Sequence, residues 1–361
     1  MLKAINASLL FMTPKERSKW FLLTGMRALL SFLDLAGILA IGFVVTSTAI
    51  FLTQGSSPDR VLEIAGIQIP AVNAQTLPWV AGLVLGLFLV KALLSILLLS
   101  KAAHFVAKIE ARAARSIAEI ALGGDLSSAR ARSREDVMFA VQSGSPAAFN
   151  ILLNAANTFL TETTLFVLIC FGFFLVDPVA TLAAIAYFGL LALVIQLFLG
   201  SLMLRAGEVS AKSTVEANTA ISDLISVFRE LAVVGKQRKY IDGIYRARLA
   251  AADSAANTYF LNGMPRYIIE AALLVGVTLF VLVQALSGDI VAAAGTLGVF
   301  LSGGFRLTAS LLPLQSALLT IKSFTPSANA AHKVLAFSPS TLRPYEQPQQ
   351  AMTEKRNIET P

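Results

Sequence analysis

The chain has 361 residues, of which 56% are hydrophobic and only 14% charged. That balance excludes an ordinary water-soluble domain, in which about a quarter of residues are charged, and it excludes a disordered chain, which lacks this much apolar surface. A net charge of +7 would suit a nucleic-acid binder, but here the placement of the charges carries more meaning than their sum.

Residues 1–12 are apolar with few charges. Thr13-Pro14-Lys15-Glu16 then reads as a capping box: the threonine hydroxyl serves the amide three residues on, the glutamate reaches back, and proline fits the first helical position. The pattern predicts a short interfacial helix, a turn and a longer helix, with Lys15, Arg17, Lys19 and Trp20 marking a membrane boundary. Six apolar runs follow, at 20–52, 78–100, 157–176, 179–204, 266–287 and 290–316. Each reaches the roughly 20 residues that a helix needs to cross about 30 Å of hydrocarbon. Run one is too long for a signal-peptide core and is expected to be retained.

The segments between runs alternate in length. Residues 53–77 have an amphipathic middle, Val61 to Ile69, which either lies on the outer bilayer surface or folds back on itself. Residues 101–146 carry Phe105, Ile109, Ile117 and Ile120 near helical spacing, a break at Gly123-Gly124, and a helix resuming toward Phe149. Residues 205–258 repeat that plan with a break around Gly235, whereas Asp177-Pro178 and Ser287-Gly288-Asp289 are tight turns. Helix six is expected to continue inward over 317–337. From Pro339 the chain is Pro- and Gln-rich without apolar periodicity, so 339–361 reads as a disordered tail. The fold class is therefore an all-α membrane protein. It has an N-terminal interfacial segment at 1–19 and a six-helix domain at 20–338 with long hairpins at 101–146 and 205–258.

Of the 29 Lys and Arg residues, 24 fall on one side of this arrangement and one, Arg60, on the other; four lie within the runs. The positive-inside rule then places both termini in the cytoplasm of an inner-membrane, multi-pass protein. The basic excess is topological, and no nucleic-acid partner is expected. The single cysteine, Cys170, permits no internal disulfide, and no metal-ligand cluster is evident. His104 and His332 lie far apart and read as solvated or packed side chains.

Six spans, tight outer turns and two long inner hairpins resemble the transmembrane domain of ABC exporters. The stretch Phe228-Arg229-Glu230-Leu231-Ala232-Val233-Val234-Gly235-Lys236-Gln237-Arg238-Lys239-Tyr240 is similar to that family's second intracellular loop, and Leu9-Leu10 through Thr13-Pro14-Lys15-Glu16-Arg17 resembles its elbow helix. Pro265-Arg266-Tyr267-Ile268-Ile269-Glu270, the Leu312-Pro313 stretch and the amphipathic outer loop resemble the lipid-linked-oligosaccharide flippase branch. The resemblance covers residues 5–338. Family members of this type commonly continue into a nucleotide-binding domain. No Gly-x-x-x-x-Gly-Lys-Ser/Thr phosphate cradle occurs here, so the ATPase is expected on a separate polypeptide or on a continuation of the chain. This chain is expected to hold no cofactor; ATP and Mg belong to the partner nucleotide-binding domain, and the assembly is a homodimer or heterodimer in contact with membrane lipids.

The resemblance implies coupling to the ATPase through the breaks at 123–130 and 233–240, that is Gly124, Asp125, Leu126, Val234, Gly235, Lys236, Arg238 and Tyr240. The competing reading is two solvated loops with charged faces. Ionisable groups within spans are functional candidates by default, since hydrocarbon penalises them unless they face a cavity or a partner. Lys91, Arg266 and Arg306 lie on three different helices and would ring an inward cavity that favours an anionic head group. In the flippase branch this implies contact with a lipid pyrophosphate. Other readings compete: Arg266 pairs with Glu270 four residues on, Arg27 snorkels to the interface, and Asp34 or Glu162 neutralises a nearby cation. Two further functions stay open: export of peptides or hydrophobic drugs, and ion-coupled secondary transport with Glu162 and Asp34 as a proton path.

Overall fold

In hydrocarbon a peptide N–H finds no water, so the apolar runs must satisfy their backbone internally, and the helix does this within one segment. The computed structural model describes residues 2–33, 61–64, 67–70, 77–122, 133–176, 178–287 and 290–336. These are almost entirely helical. In chain order they form α1 (Leu2–Phe11), α2 (14–33), α3 (Leu77–Leu122), α4 (Arg134–Phe139), α5 (Leu152–Val176), α6 (Pro178–Ser226), α7 (Phe228–Val234), α8 (Gln237–Ser287) and α9 (Ile290–Ala336). Among the described residues, four helical stretches are long and apolar enough to cross a membrane: Trp79–Ala121, Arg134–Phe174, Thr181–Ser226 and Gln237–Leu279. The chain is a helical membrane protein.

The middle of the 53–77 segment takes the folded-back alternative. Strands β1 (Val61–Ile64) and β2 (Ile67–Pro70) pair antiparallel, with Val61 opposite Pro70 and Ile64 opposite Ile67. The expected turns at 177 and 288–289, the first break at 123–132 and the tail 339–361 lie outside the described residues.

At 1.5 Å per residue α3, α6, α8 and α9 are each about 70 Å long or more, twice the hydrocarbon thickness. One helix therefore serves two solvents, and α3 shows how. From Leu83 to Leu99 its leucines and isoleucines are mostly exposed, an arrangement that suits lipid and not water. From Ala102 onward Ala102, Val106, Ile109, Ala113 and Ile117 are buried. Those positions recur every three or four residues, which is one face of a helix packing on protein with its other faces in water.

From Val106 that face packs into a core with Trp20, Phe149, Leu152, Ile321, Ala328 and Ala331, while Ala102 packs with Leu23 and Leu98. A second core, built from Ile169, Phe188, Ile195, Leu199, Ile269, Leu273, Leu307 and Leu311, joins α5, α6, α8 and α9. The α6–α9 seam is a close one. A Cβ on Gly207 would stand 2.1 Å from the Ser323 carbonyl oxygen, and one on Gly200 would meet the Lys322 side chain. Glycine at 207 allows the two backbones to touch, and at 200 it leaves room for the lysine side chain. Lys322 Nζ donates to the Gln196 carbonyl at 3.3 Å in the same seam, and Tyr187 donates its hydroxyl to the Ala272 carbonyl of α8 at 2.7 Å.

Between α4 and α5 the helix widens into π turns at Ala140–Gly144 and Pro146–Ile151. Pro146 has no amide proton and its ring crowds the preceding turn, and a wider turn relieves both defects. Gly144 here lies against α9, where a Cβ would be 3.0 Å from the Ala331 amide. Ser145 donates to the Glu110 carbonyl at 3.1 Å, and Asn150 Nδ2 to Glu110 Oε2 at 2.9 Å. These bonds hold the widened turn on α3.

The capping box forms as read. Glu16 Oε2 accepts from the Thr13 amide at 3.0 Å and from its hydroxyl at 2.9 Å, and the Glu16 amide donates to Thr13 Oγ1 at 3.3 Å. Glu16 also takes a two-pronged bond from Arg112 of α3, at 2.6 and 2.7 Å. Burial pushes the Glu16 carboxyl up, but the bonds from Arg112 and Thr13 outweigh it and hold the group below its ordinary value of 4.5. Ser8, fully buried on α1, donates to the Ala148 carbonyl at 2.8 Å and lies 3.0 Å from His332 Nε2. The hydroxyl has one proton, so His332 donates through Nε2–H. Burial holds His332 below 6.5.

Two expected outcomes follow from this packing. Gly207→Ala must part α6 from α9, costing about 2 kcal/mol or more by overpacking; thermal unfolding in detergent should show the loss, and Gly25→Ala, with open space around it, should not. Both titrating groups bind protons less readily when folded, so stability is lost as the pH falls. The His332 contribution is complete above 6.5 and is lost below it. That of the Glu16–Arg112 pair, about 1 kcal/mol given the part-exposed arginine, is lost below 4.5. The protection factors of the α1 amides, with the intrinsic pH dependence of exchange removed, should fall between pH 7.5 and 5.5, and His332→Gln should abolish that first step.

Candidate functional site

Trp20 and Lys19 mark where α2 enters the apolar zone. Arg27 lies seven residues further on, about 10 Å along the axis. Lys91 precedes Lys101 of α3 by ten residues, about 15 Å along its own axis. The bundle brings both to one depth, where α5 presents Glu162. The three charges line a single cavity of about 240 Å³, together with Ser31, Ser95 and Thr161 and an apolar wall of Leu30, Ile96, Leu99 and Leu165. The Arg27 guanidinium lies within electrostatic range of the Glu162 carboxylate. Ser31 is buried, and Thr161 holds its own hydroxyl on the Asn157 carbonyl at 2.9 Å. The mouth is framed by Ile96 and Leu99, both more than half exposed. A polar pocket thus opens sideways through an apolar surface.

Of the three cations expected to form one ring, only Lys91 is among the cavity's lining residues. Arg266 on α8 donates Nε to Glu270 Oε1 at 2.9 Å, an exposed ion pair within one helix. The helix α9 carries Arg306, whose side chain lies outside the described residues, as does Asp34. Arg27 and Glu162 were each legible as in-span charges, yet nothing in the linear order reveals that they meet Lys91. The signal available was depth: Arg27 lies about two turns past Trp20, and Lys91 about three turns before Lys101.

The second candidate region is at the far end of α6 and α8. Helix α6 stops at Val227, whose φ of −110° and ψ of 18° leave the helical range, and the seven-residue α7 crosses to Gly235. Gly235 takes φ 68°, the left-handed conformation glycine tolerates best, and its amide caps the Leu231 carbonyl. Leu231 is buried, while Val233 is 88% and Val234 62% exposed and Tyr240 and Ile241 are also exposed. Lys236 and Arg238 flank the turn on the exposed side. Ser133 caps α4, its hydroxyl accepting from the Asp136 amide at 3.0 Å. Arg134 and Met138 of α4 share a groove with Asn218, Ile221, Ser222, Ile225 and Ser226 of α6. The flank of the first break thus lies beside the second break. Gly124, Asp125 and Leu126 are outside the described residues.

In comparisons with protein-family models and with curated proteins, nothing matches this chain.

The two arginines should behave differently. Arg27→Gln leaves the Glu162 carboxylate in an apolar zone with one cation fewer, and about 2–3 kcal/mol of stability should be lost. Arg266→Gln removes only an exposed pair and should leave the thermal midpoint unchanged. Both are read by thermal unfolding of the purified protein in one detergent.

Proposed function

We propose that this chain is the transmembrane part of an ATP-driven exporter or flippase, of the kind represented by ABC exporters, working as a dimer with a separate or appended ATPase. One observation carries the reading. Helices about twice as long as the bilayer is thick run past the apolar zone, and at the far end of α6 and α8 a short capped helix exposes Val233 and Val234 beside the exposed Tyr240 of α8. A lone membrane protein gains nothing from such extensions. A protein driven by an external engine needs them as levers, since closure of the engine must become rigid-body motion of the spans. The charge asymmetry supports an inner membrane, multi-pass arrangement with that end and both termini in the cytoplasm. The six-span count and the paired inner hairpins are part of the same reading.

In this scheme Val234, Gly235, Lys236, Arg238 and Tyr240, with Gly124, Asp125 and Leu126 on the first break, engage the ATPase. ATP and Mg are bound and consumed by the partner, and an amphiphilic anion is the cargo, with Lys91, Arg266 and Arg306 as its candidate contacts. Export of peptides or hydrophobic drugs, and ion-coupled transport through Glu162 and Asp34, are the rival functions. An ion-coupled carrier would work without nucleotide.

The test is reconstitution. The chain should co-purify with an ATPase whose turnover rises when the two are joined in proteoliposomes. Val233→Asp with Val234→Asp should abolish that stimulation without lowering the thermal midpoint, since both side chains are exposed. Transport driven by a pH gradient alone would overturn the reading.

A further inference from the structure

One face of α5 and of the π turn before it is polar, and its bonds can be followed residue by residue. Asn150, in the second π turn, donates Nδ2 to Glu110 Oε2 of α3 at 2.9 Å, and Asn154 donates Nδ2 to Asn150 Oδ1 at 2.8 Å. A carboxylate only accepts, so Glu110 fixes the direction of both amides, and each points a donor toward it. Glu110 lies about 16 Å beyond Leu99 along α3, outside the part of that helix that suits lipid. One turn past Asn154, Asn157 is 3% exposed, and its Oδ1 has no hydrogen-bond partner among the described residues. One turn further, Thr161 gives its hydroxyl proton to the Asn157 carbonyl at 2.9 Å and lines the cavity between α2, α3 and α5. The order 150, 154, 157, 161 places all four side chains on one side of the helix. We infer that this face is a water-bearing path that joins the cavity to the aqueous zone at Glu110. The inference goes beyond the exporter reading and does not depend on it.

Three features favour water over a dry, packed face. A buried amide oxygen without a donor is costly, so Asn157 Oδ1 calls for one. The groups left over are of one kind. With its proton committed to the backbone, Thr161 Oγ1 is an acceptor like Asn157 Oδ1, so neither satisfies the other. Water brings two donors and can serve both. Room is present too: the cavity of about 240 Å³ is many times the roughly 15 Å³ that one water needs. The cavity then has two approaches of opposite character. Its sideways mouth at Ile96 and Leu99 meets lipid, and the α5 face meets water. A polar group held in the cavity stays hydrated although the surface around the mouth is apolar.

The experiment uses the full chain in phosphatidylcholine nanodiscs, where acyl chains cover the sideways mouth. An X-ray pulse makes hydroxyl radicals from water, and mass spectrometry reads which side chains they oxidise. Leu165, in the cavity wall, should be oxidised about tenfold faster than Leu89, which is 64% exposed on the lipid-facing part of α3. Asn157→Leu keeps the side-chain shape, removes the amide and should cut Leu165 oxidation several-fold. Ile96→Trp narrows the sideways mouth and should leave Leu165 oxidation as in wild type. Leu165 oxidised no faster than Leu89 in wild type means a dry cavity and overturns the inference. Unchanged Leu165 oxidation in Asn157→Leu overturns it as well, because the water then arrives by another route. If Asn157→Leu does not fold, Ile96→Trp decides: loss of Leu165 oxidation there assigns the water to the sideways mouth and sinks the α5 path, and its persistence supports the path. None of these readouts involves an ATPase, so a dry cavity leaves the transporter reading standing.

Discussion

Everything in this fold follows from the length of its helices relative to the bilayer. A peptide group in hydrocarbon must find its hydrogen bond inside the chain, which makes the apolar runs helical. That constraint is satisfied after about 20 residues, yet α3, α6, α8 and α9 have 46, 49, 51 and 47. The surplus lies in water, where helix formation is no longer compelled and side-chain packing must sustain it. The buried face of α3 from Ala102 to Ile117, the Arg112–Glu16 bond and the Gly144 and Gly207 contacts supply that packing. The membrane determines which segments are helical, and the interhelical contacts keep their extensions straight.

Charge is distributed by the same logic. Ion pairs outside the apolar zone, such as Arg115–Glu119 and Lys212–Glu216, are exposed and local to one helix, and such pairs contribute little to stability. Inside the zone Arg27, Lys91 and Glu162 gather from three helices into one cavity. Hydrocarbon penalises an isolated charge so heavily that convergence there is selected for a purpose or compensated by partners.

Much of the architecture was legible because local chemistry settled it. The Thr13–Glu16 box needs only four residues. In the α3 stripe Ile109 and Ile117 were legible from their period, while the structure buries Val106 and Ala113 with them rather than Phe105 and Ile120, and the Gly235 turn follows from the residue type that tolerates a positive φ best. The π turns were not legible, since Pro146 alone predicts a break, and it is the packing against Glu110 and Ala331 that turns the break into a widened helix. Nor was the extra stop at Val227, where no glycine or proline marks the end of α6. The cavity illustrates the same limit. Arg27 and Glu162 stood out as charges in apolar sequence, but their meeting with Lys91 depends on how three helices are rotated about their axes. That rotation is fixed by contacts far from the charges.

The glycines at 200 and 207 have a mechanical consequence. They lie seven residues apart on α6: Gly207 brings its backbone against that of α9 at Ser323, and Gly200 leaves room for the Lys322 side chain to lie in the same seam. Where large side chains mesh, rotamer changes absorb small displacements. Backbone against backbone has no such slack. A shove applied to the free end of α6 is therefore handed to α9 with little backlash, much as a toothed coupling passes torque that a belt would lose.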